Sequence, residues 1–200
     1  MEEKDCERFL FCLKEFNTEK HINIRDLKEA KDISNPTSKV GDSPTLEVGV
    51  TAAKLVEIFC FCLMPNHYHL ILKGLIEGGI AKFMNKINIG YTKYFNKKYD
   101  RSGHLFEGKY KSKEINADFY LTYLTGYIHL NPVIAGLAKF PEQYKYSSYL
   151  DYLGRKKTDF LDFRAEELEI KMKNYRDFIL ELNKDKALEE KIKSVNFSEE

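Results

Sequence analysis

Two short apolar runs, separated by three residues, constrain the fold of this 200-residue chain more than any other feature. Residues 56–63 and 67–72 are rich in side chains that strands favour, and Pro65 lies between them. Runs of this length suit strands better than helices. The three intervening residues are compatible with a hairpin turn or with a bulge within one strand, so the pattern leaves both arrangements open.

Helical patterns lie on both sides of these runs. Apolar residues recur at helical spacing over residues 4–16 and again, for about five turns, over residues 76–95. A further helix is predicted to begin at Asn116 or Asp118, either of which is a good N-cap, and to stop at Pro132. Together with the apolar runs, these patterns predict an α+β protein.

The same patterns predict the domain organisation. Residues 1–154 form one predicted domain, which includes a long loop over residues 34–50, where Pro and Gly lie among Ser and Thr. Residues 155–200 are charge-rich and are predicted to form a partly helical C-terminal extension. No apolar run approaches the roughly 20 residues needed to span a bilayer. We therefore expect a cytoplasmic protein without membrane association.

Four cysteines lie in the first third of the chain and show no spacing typical of secreted disulfide frameworks. Cys60 and Cys62 have a spacing that two thiolate metal ligands can adopt. They lie, however, in the apolar run IFCFCLM. We therefore interpret them as buried strand residues with reduced thiols.

The charge of the chain is concentrated in its middle, although the net charge is only +1. Residues 73–113 contain ten Lys or Arg and three Asp or Glu, a balance of +7, whereas residues 1–57 have a balance of −3. A charge run is most often a solvated face. Here the cations alternate with aromatic residues, which favours a surface that binds a nucleic-acid strand.

Two short motifs contain residues suited to chemistry. His67 and His69 lie on the same face of a predicted strand, about 6.6 Å apart along the chain, where two imidazoles can converge on one cation. Tyr127 and Asn131 lie one helical turn apart, so an amide oxygen can reach a cation near the tyrosine hydroxyl. Taken alone, each spacing fits a simpler interpretation better. The histidines fit a polar strand face, and the helix fits an aromatic packing stripe capped by Asn131.

Four longer strings provide a more specific signal. They are CLMPNHYHLIL (62–72), RSGHLFEGKYKS (101–112), YLTGYIHLNPVIAGL (123–137) and YKYSSYLDYLG (144–154). In order and spacing they resemble the motifs of the REP-associated tyrosine transposases, which are relatives of the transposases that move single-stranded insertion sequences. The resemblance extends from about residue 5 to residue 154 and does not cover the tail.

The resemblance implies a ferredoxin-like antiparallel sheet with helices packed on one face. It also implies a first strand that ends in an Asn-Arg-Gly-like turn, whereas this chain begins directly in the first helix. We therefore expect a sheet of four strands where the family has five. An exposed strand edge would favour a homodimer. The chain is also expected to be less stable and less active than a version extended upstream.

Carried over by position, His67, His69 and Asn131 are implied ligands of Mg²⁺ or Mn²⁺, and Tyr127 is the implied nucleophile. Attack by Tyr127 on DNA would give a 5′-phosphotyrosyl enzyme and a free 3′-hydroxyl, and a second 3′-hydroxyl would reverse the step. The implied partner is single-stranded DNA with a stem-loop. The candidate DNA contacts are Arg101, His104, Lys109 and Lys111.

Three neighbouring residues carry further expectations. Gly126 differs from the family pattern, because family members commonly have a basic residue just before the nucleophile. Tyr68 points to the opposite strand face from the histidines and is expected in the core. His129 lies on the far side of its helix from Tyr127 and is expected either to be structural or to contact phosphate.

Two alternative functions remain open. One is a domesticated protein that binds hairpin DNA with weak or no catalysis, and the other is a metal-dependent phosphodiesterase that uses water as the nucleophile. The presence of His67, His69 and Tyr127 together favours the transposase.

Overall fold

The computed structural model describes residues 2–20, 53–115, 118–163 and 172–183. Its elements are, in order, helix α1 (Glu3–Glu15), strands β1 (Val56–Leu63) and β2 (Tyr68–Gly74), and helices α2 (Gly79–Lys98), α3 (Asp118–Ile134), α4 (Tyr149–Tyr152) and α5 (Met172–Leu182). The predicted loop over residues 34–50 lies outside the described residues. Within the described ranges, no helix is long and apolar enough to cross a membrane.

The two apolar runs form an antiparallel hairpin. Val56 lies opposite Gly74 at its open end, and Leu63 lies opposite Tyr68 next to the turn. The Met64 N–H closes the turn by donating to the carbonyl of His67 at 2.8 Å. The hairpin is therefore the arrangement that the chain adopts, and the predicted α+β architecture with an antiparallel sheet is confirmed.

The sheet is smaller than the expected four strands, since it has two strands in the part of the chain that the structure describes. Beyond β1, the chain adds single backbone hydrogen bonds in place of a continuous ladder. The Leu63 N–H donates to the carbonyl of Tyr146 at 2.9 Å, and the Ser148 N–H donates to the carbonyl of Phe61 at 3.0 Å. These contacts satisfy the edge of β1 without forming a further strand.

Helices pack on both faces of the hairpin. One buried cluster joins α1 and α2 to β1, and it includes Phe9, Leu13, Ile58, Phe61, Phe83 and Ile87. A second joins α3 and α5 to the hairpin, and it includes Cys60, Cys62, Ile71, Ile128 and Ile179. Helices therefore cover the face of the hairpin that holds Phe61 and also the face that holds Cys60. Because β1 is apolar along nearly its whole length, both of its faces need cover.

Helix α3 passes through Pro132 and ends at Ile134, which corrects the predicted stop at the proline. Gly136 follows with a positive φ of 69°, in the left-handed region that favours glycine. The N–H of Leu137 donates to the carbonyl of Pro132 at 2.8 Å, and the N–H of Gly136 donates to that of Val133 at 3.0 Å. This Schellman motif ends the helix. Asn131 therefore lies within the last helical turn.

The cysteines of β1 are core residues, as predicted. Cys60 and Cys62 are both fully buried and free of disulfides. Burial raises the pKa of the Cys60 thiol to about 12, so the thiolate that a metal would need is strongly disfavoured.

Candidate active site

The turn and start of β2 bring the two histidine rings together. His67 immediately precedes the strand, and the centroid of its ring lies 4.9 Å from that of His69, with the ring planes nearly perpendicular at 88°. Tyr68 points the other way and packs against Phe9, with 4.7 Å between ring centroids. The strand period thus places both imidazoles on one face and Tyr68 in the core, as predicted.

A hydrogen bond determines which nitrogen of His67 is available to a ligand. The Nδ1 atom of His67 lies 2.8 Å from Oδ1 of Asn66. A carboxamide oxygen can only accept, so Nδ1 carries the proton and Nε2 keeps its lone pair. Asn66 therefore orients His67 as an outer partner orients a metal-binding imidazole.

His69 offers a complementary donor atom. Its Nε2 is buried and has no hydrogen-bond partner among the described residues. Leaving a buried polar atom unsatisfied costs about 1–3 kcal/mol, and a bound cation would remove this cost. Burial lowers the pKa of His69 to about 4, and the neighbouring His67 lowers it further. Burial also lowers the pKa of His67. Both imidazoles are therefore neutral at pH 7, the form in which histidine binds metals.

Helix α3 presents Tyr127 to this histidine pair. The ring centroid of Tyr127 lies 6.3 Å from that of His69, and the rings are near-perpendicular at 77°. Tyr127 is half-buried, so its ring is held while part of the side chain stays accessible. The structure thus brings together two imidazoles and a phenol from separate elements of the fold.

Asn131 lies one turn after Tyr127 on the same helix. Its Nδ2 donates to the carbonyl of Tyr127 at 2.9 Å, which orients the planar amide along the helix. Among the described residues, no group of three His, Cys, Asp or Glu is placed to hold a metal ion. An amide oxygen such as that of Asn131 is of the type that hard divalent cations accept as a ligand.

A buried chain of hydrogen bonds holds helix α3 in place. His129 is fully buried; its Nε2 lies 2.8 Å from the Ser148 hydroxyl, and its Nδ1 lies 2.8 Å from the Tyr175 hydroxyl. Tyr175 in turn donates to the Thr125 hydroxyl at 3.1 Å. One assignment satisfies every group, with Ser148 donating to Nε2 and Nδ1 donating to Tyr175. His129 is thus structural and does not contact phosphate.

Gly126 is the point at which α5 approaches α3 most closely. A Cβ atom there would lie 2.6 Å from Cδ2 of Leu182 and 3.0 Å from Cε1 of Phe178. A longer side chain would displace α5. The absence of a basic residue before Tyr127 therefore has a packing reason, which is that the C-terminal helix occupies that space.

Tyr175→Phe is expected to lower the free energy of unfolding by about 1–3 kcal/mol, because Nδ1 of the buried His129 loses its acceptor. The midpoint of urea unfolding would show the change. Tyr146→Phe is the matched control, since the hydroxyl of Tyr146 lies outside this chain of hydrogen bonds. Equal midpoints for the two variants would contradict the role of the Tyr175 hydroxyl.

The four candidate DNA contacts lie together on the segment between α2 and α3. The side chains of Arg101, His104, Lys109 and Lys111 are all exposed. The start of the segment is tied to α2, because Nδ2 of Asn96 donates to the carbonyl of Gly103 at 2.8 Å. Leu105 and Phe106 pack inward against the first core cluster. The cations therefore cover the outer side of a segment whose apolar residues face the core.

Residues 47–131 match the model of the family described as transposase IS200 like. In this segment the chain is similar to the IS200-like transposases. The match covers about two fifths of the chain, less than the resemblance from residue 5 to residue 154, and it includes the histidine pair, the basic segment and the helix from Tyr127 to Asn131. No curated protein and no solved structure matches the chain. The similarity makes a transposase-type activity on DNA the first function to consider for these residues.

Proposed function

We propose that this protein is a transposase that cuts and rejoins single-stranded DNA through a covalent bond between Tyr127 and a 5′-phosphate. The main supporting observation is that the Tyr127 ring stands 6.3 Å from that of His69, on the side of the hairpin where two neutral imidazoles converge. A phenol beside cation-binding nitrogens is the arrangement that nucleophilic attack on a phosphodiester needs. The family match over these residues supports the same class of chemistry.

In this proposal His67, His69 and Asn131 would hold Mg²⁺ or Mn²⁺. When bound, this cation neutralises charge on a non-bridging phosphate oxygen and makes phosphorus more electrophilic. The hydroxyl of Tyr127 gives its proton to solvent water, its oxygen bonds to phosphorus, and the P–O3′ bond breaks. The 3′-oxygen takes a proton and leaves as a hydroxyl. Since the phosphotyrosine retains an ester bond, a second 3′-hydroxyl can displace Tyr127 and join two strands without a nucleotide cofactor.

The chain contributes positioning as well as ligands. Tyr127 needs to stay aligned with phosphorus, because small misplacements of a nucleophile cost large factors in rate. The hydrogen bonds of His129 to Ser148 and Tyr175 hold α3 against neighbouring segments on two sides. Asn66 holds the ring of His67 in one orientation. The proposed site therefore rests on well-anchored elements of the fold.

Incubation with a labelled single-stranded stem-loop and Mn²⁺, followed by a denaturing gel, tests the proposal. The expected result is a protein–DNA adduct that survives denaturation, accompanied by a free 3′-hydroxyl product. Cleavage without an adduct would instead indicate a phosphodiesterase that uses water. Tight hairpin binding without cleavage would indicate a domesticated binding protein. Either of these two results overturns the proposal.

Binding is expected to favour a single-stranded stem-loop over plain duplex and to weaken steeply with salt. Each neutralised phosphate contributes about −0.7 to the slope of log K against log salt for single strands. Replacing Lys109 and Lys111 with Glu should therefore flatten the slope by about 1.4. Lys139→Glu combined with Lys157→Glu, two exposed lysines outside the basic segment, is the matched control. An unchanged slope in the first variant would place the DNA elsewhere.

A further inference from the structure

An aromatic pocket of about 150 Å³ opens at the end of the hairpin, on the side away from Tyr127. Its walls come from α1, β2, α2 and the segment after α2, and they include Phe9, Tyr68, Tyr91, Phe95 and Phe106. Asn66 and His67 of the turn also line it. His67, which we assign to the metal site, therefore also borders this pocket.

The rings of the pocket present both faces and edges to a guest. The Tyr68 ring is perpendicular to that of Phe106, at 89° and 5.9 Å between centroids, whereas Tyr91 and Phe106 are inclined by 37° at 6.3 Å. Such a setting favours a flat, apolar ring system, which can stack on one wall and meet the edge of another. A volume of about 150 Å³ is equivalent to about five water molecules, which suits a single ring system and excludes a base pair.

The charge around the pocket indicates that the flat ring that binds there is part of an anionic molecule. No Asp or Glu is among the residues that line the pocket. The guanidinium carbon of Arg101 lies 5.7 Å from the ring centroid of Phe95, one of the walls. His104 and Lys109 are exposed on the same segment as Phe106. An aromatic ring attached to phosphate, as in a nucleotide, satisfies both the walls and the cations.

We propose that this pocket binds one unpaired base of the DNA strand, next to the nucleotide whose phosphate reaches the histidine pair. The proposal rests on the proposed function, since it takes the DNA at His67 and His69 as its starting point. His67 links the two, because its ring lines the pocket and lies 4.9 Å from that of His69. A base has to leave its stack to enter, so the pocket selects single-stranded DNA at the cleavage point.

The test uses a Tyr127→Phe protein, which binds without cutting, and a set of stem-loop oligonucleotides that each lack one base. Affinities are measured with Mn²⁺ present. Loss of the base at one position beside the cleaved phosphate is expected to weaken binding about tenfold. Adding Phe106→Ala should weaken binding of the intact oligonucleotide by a similar factor. In that variant, loss of the same base should have no further effect.

Phe106→Leu, which removes the ring but keeps apolar bulk, gives the same readout if the alanine variant does not fold. Phe140→Ala is the matched control, because this phenylalanine is 45% exposed and does not line the pocket. If no base position couples to Phe106 while the DNA still binds, the pocket proposal is overturned and the proposed function stands. If the Tyr127→Phe protein binds no single-stranded DNA at all, the proposed function fails and the pocket proposal fails with it.

Discussion

Tyr127→Phe is expected to abolish the covalent adduct and strand cleavage while leaving the affinity for a single-stranded stem-loop nearly unchanged. The substitution removes the oxygen that would bond to phosphorus, and no other group of the proposed site can replace it. The ring that faces His69 at 6.3 Å is retained, so the packing of α3 on the hairpin should persist. A denaturing gel measures the adduct, and a binding titration of the same oligonucleotide measures the affinity.

Tyr123 provides the matched control for this prediction, because it lies one turn before Tyr127 on the same helix. Its ring packs against Phe178 of α5, at 5.3 Å between centroids. Tyr123→Phe should therefore cut and form the adduct as the wild type does. If the Tyr123→Phe protein were inactive and the Tyr127→Phe protein active, the assignment of Tyr127 as the nucleophile would be wrong.

Local patterns predicted the elements of this fold well, because each pattern depends on residues that are close in sequence. The strand period placed His67 and His69 on one face, and the helical repeat over residues 76–95 became α2 (Gly79–Lys98). The burial of β1 on both faces could also be predicted from the sequence. Its near-continuous apolar run is typical of a strand buried on two sides. The family resemblance by itself implied helices on one face of the sheet.

The relation between α3 and α5 could not be predicted, because it depends on contacts between distant parts of the chain. In the sequence, Gly126 looks like the loss of a basic residue beside the nucleophile. In the structure, it is where Leu182 and Phe178 approach the helix. The bond between His129 and Tyr175 likewise joins residues 46 positions apart. The sequence predicted only a weak helical pattern beyond residue 154 and did not predict this contact.

The contact between Tyr127 and His69 also depends on how distant parts of the chain pack together. Spacing alone predicts that Tyr127 and Asn131 share a helix face, but it does not say which strand that face meets. The resemblance supplied this expectation, and the ring distance of 6.3 Å agrees with it. The roles of the three side chains as nucleophile and ligands remain predictions that need chemical tests.

His69→Ala is expected to remove divalent-metal-dependent cleavage by more than about a hundredfold, beyond the range typical of losing an outer-sphere partner. The direct readout is the unfolding temperature with and without Mn²⁺. A cation that binds the folded state at a hundred times its Kd stabilises it by about 2.7 kcal/mol. The wild type should therefore show a clear rise in Tm with Mn²⁺, and His69→Ala should show none.

The stability of the metal-free protein provides a second check. Because Nε2 of His69 is buried without a partner among the described residues, removing the imidazole eliminates an unsatisfied polar atom along with its packing. Without metal, His69→Ala should therefore lower the free energy of unfolding by less than the loss of a buried ring of this size normally does. His104→Ala is the control for metal binding, since this exposed histidine lies on the basic segment, and it should keep the rise in Tm. A rise that survives in His69→Ala, or cleavage that persists in excess chelator, would remove His69 from the metal site.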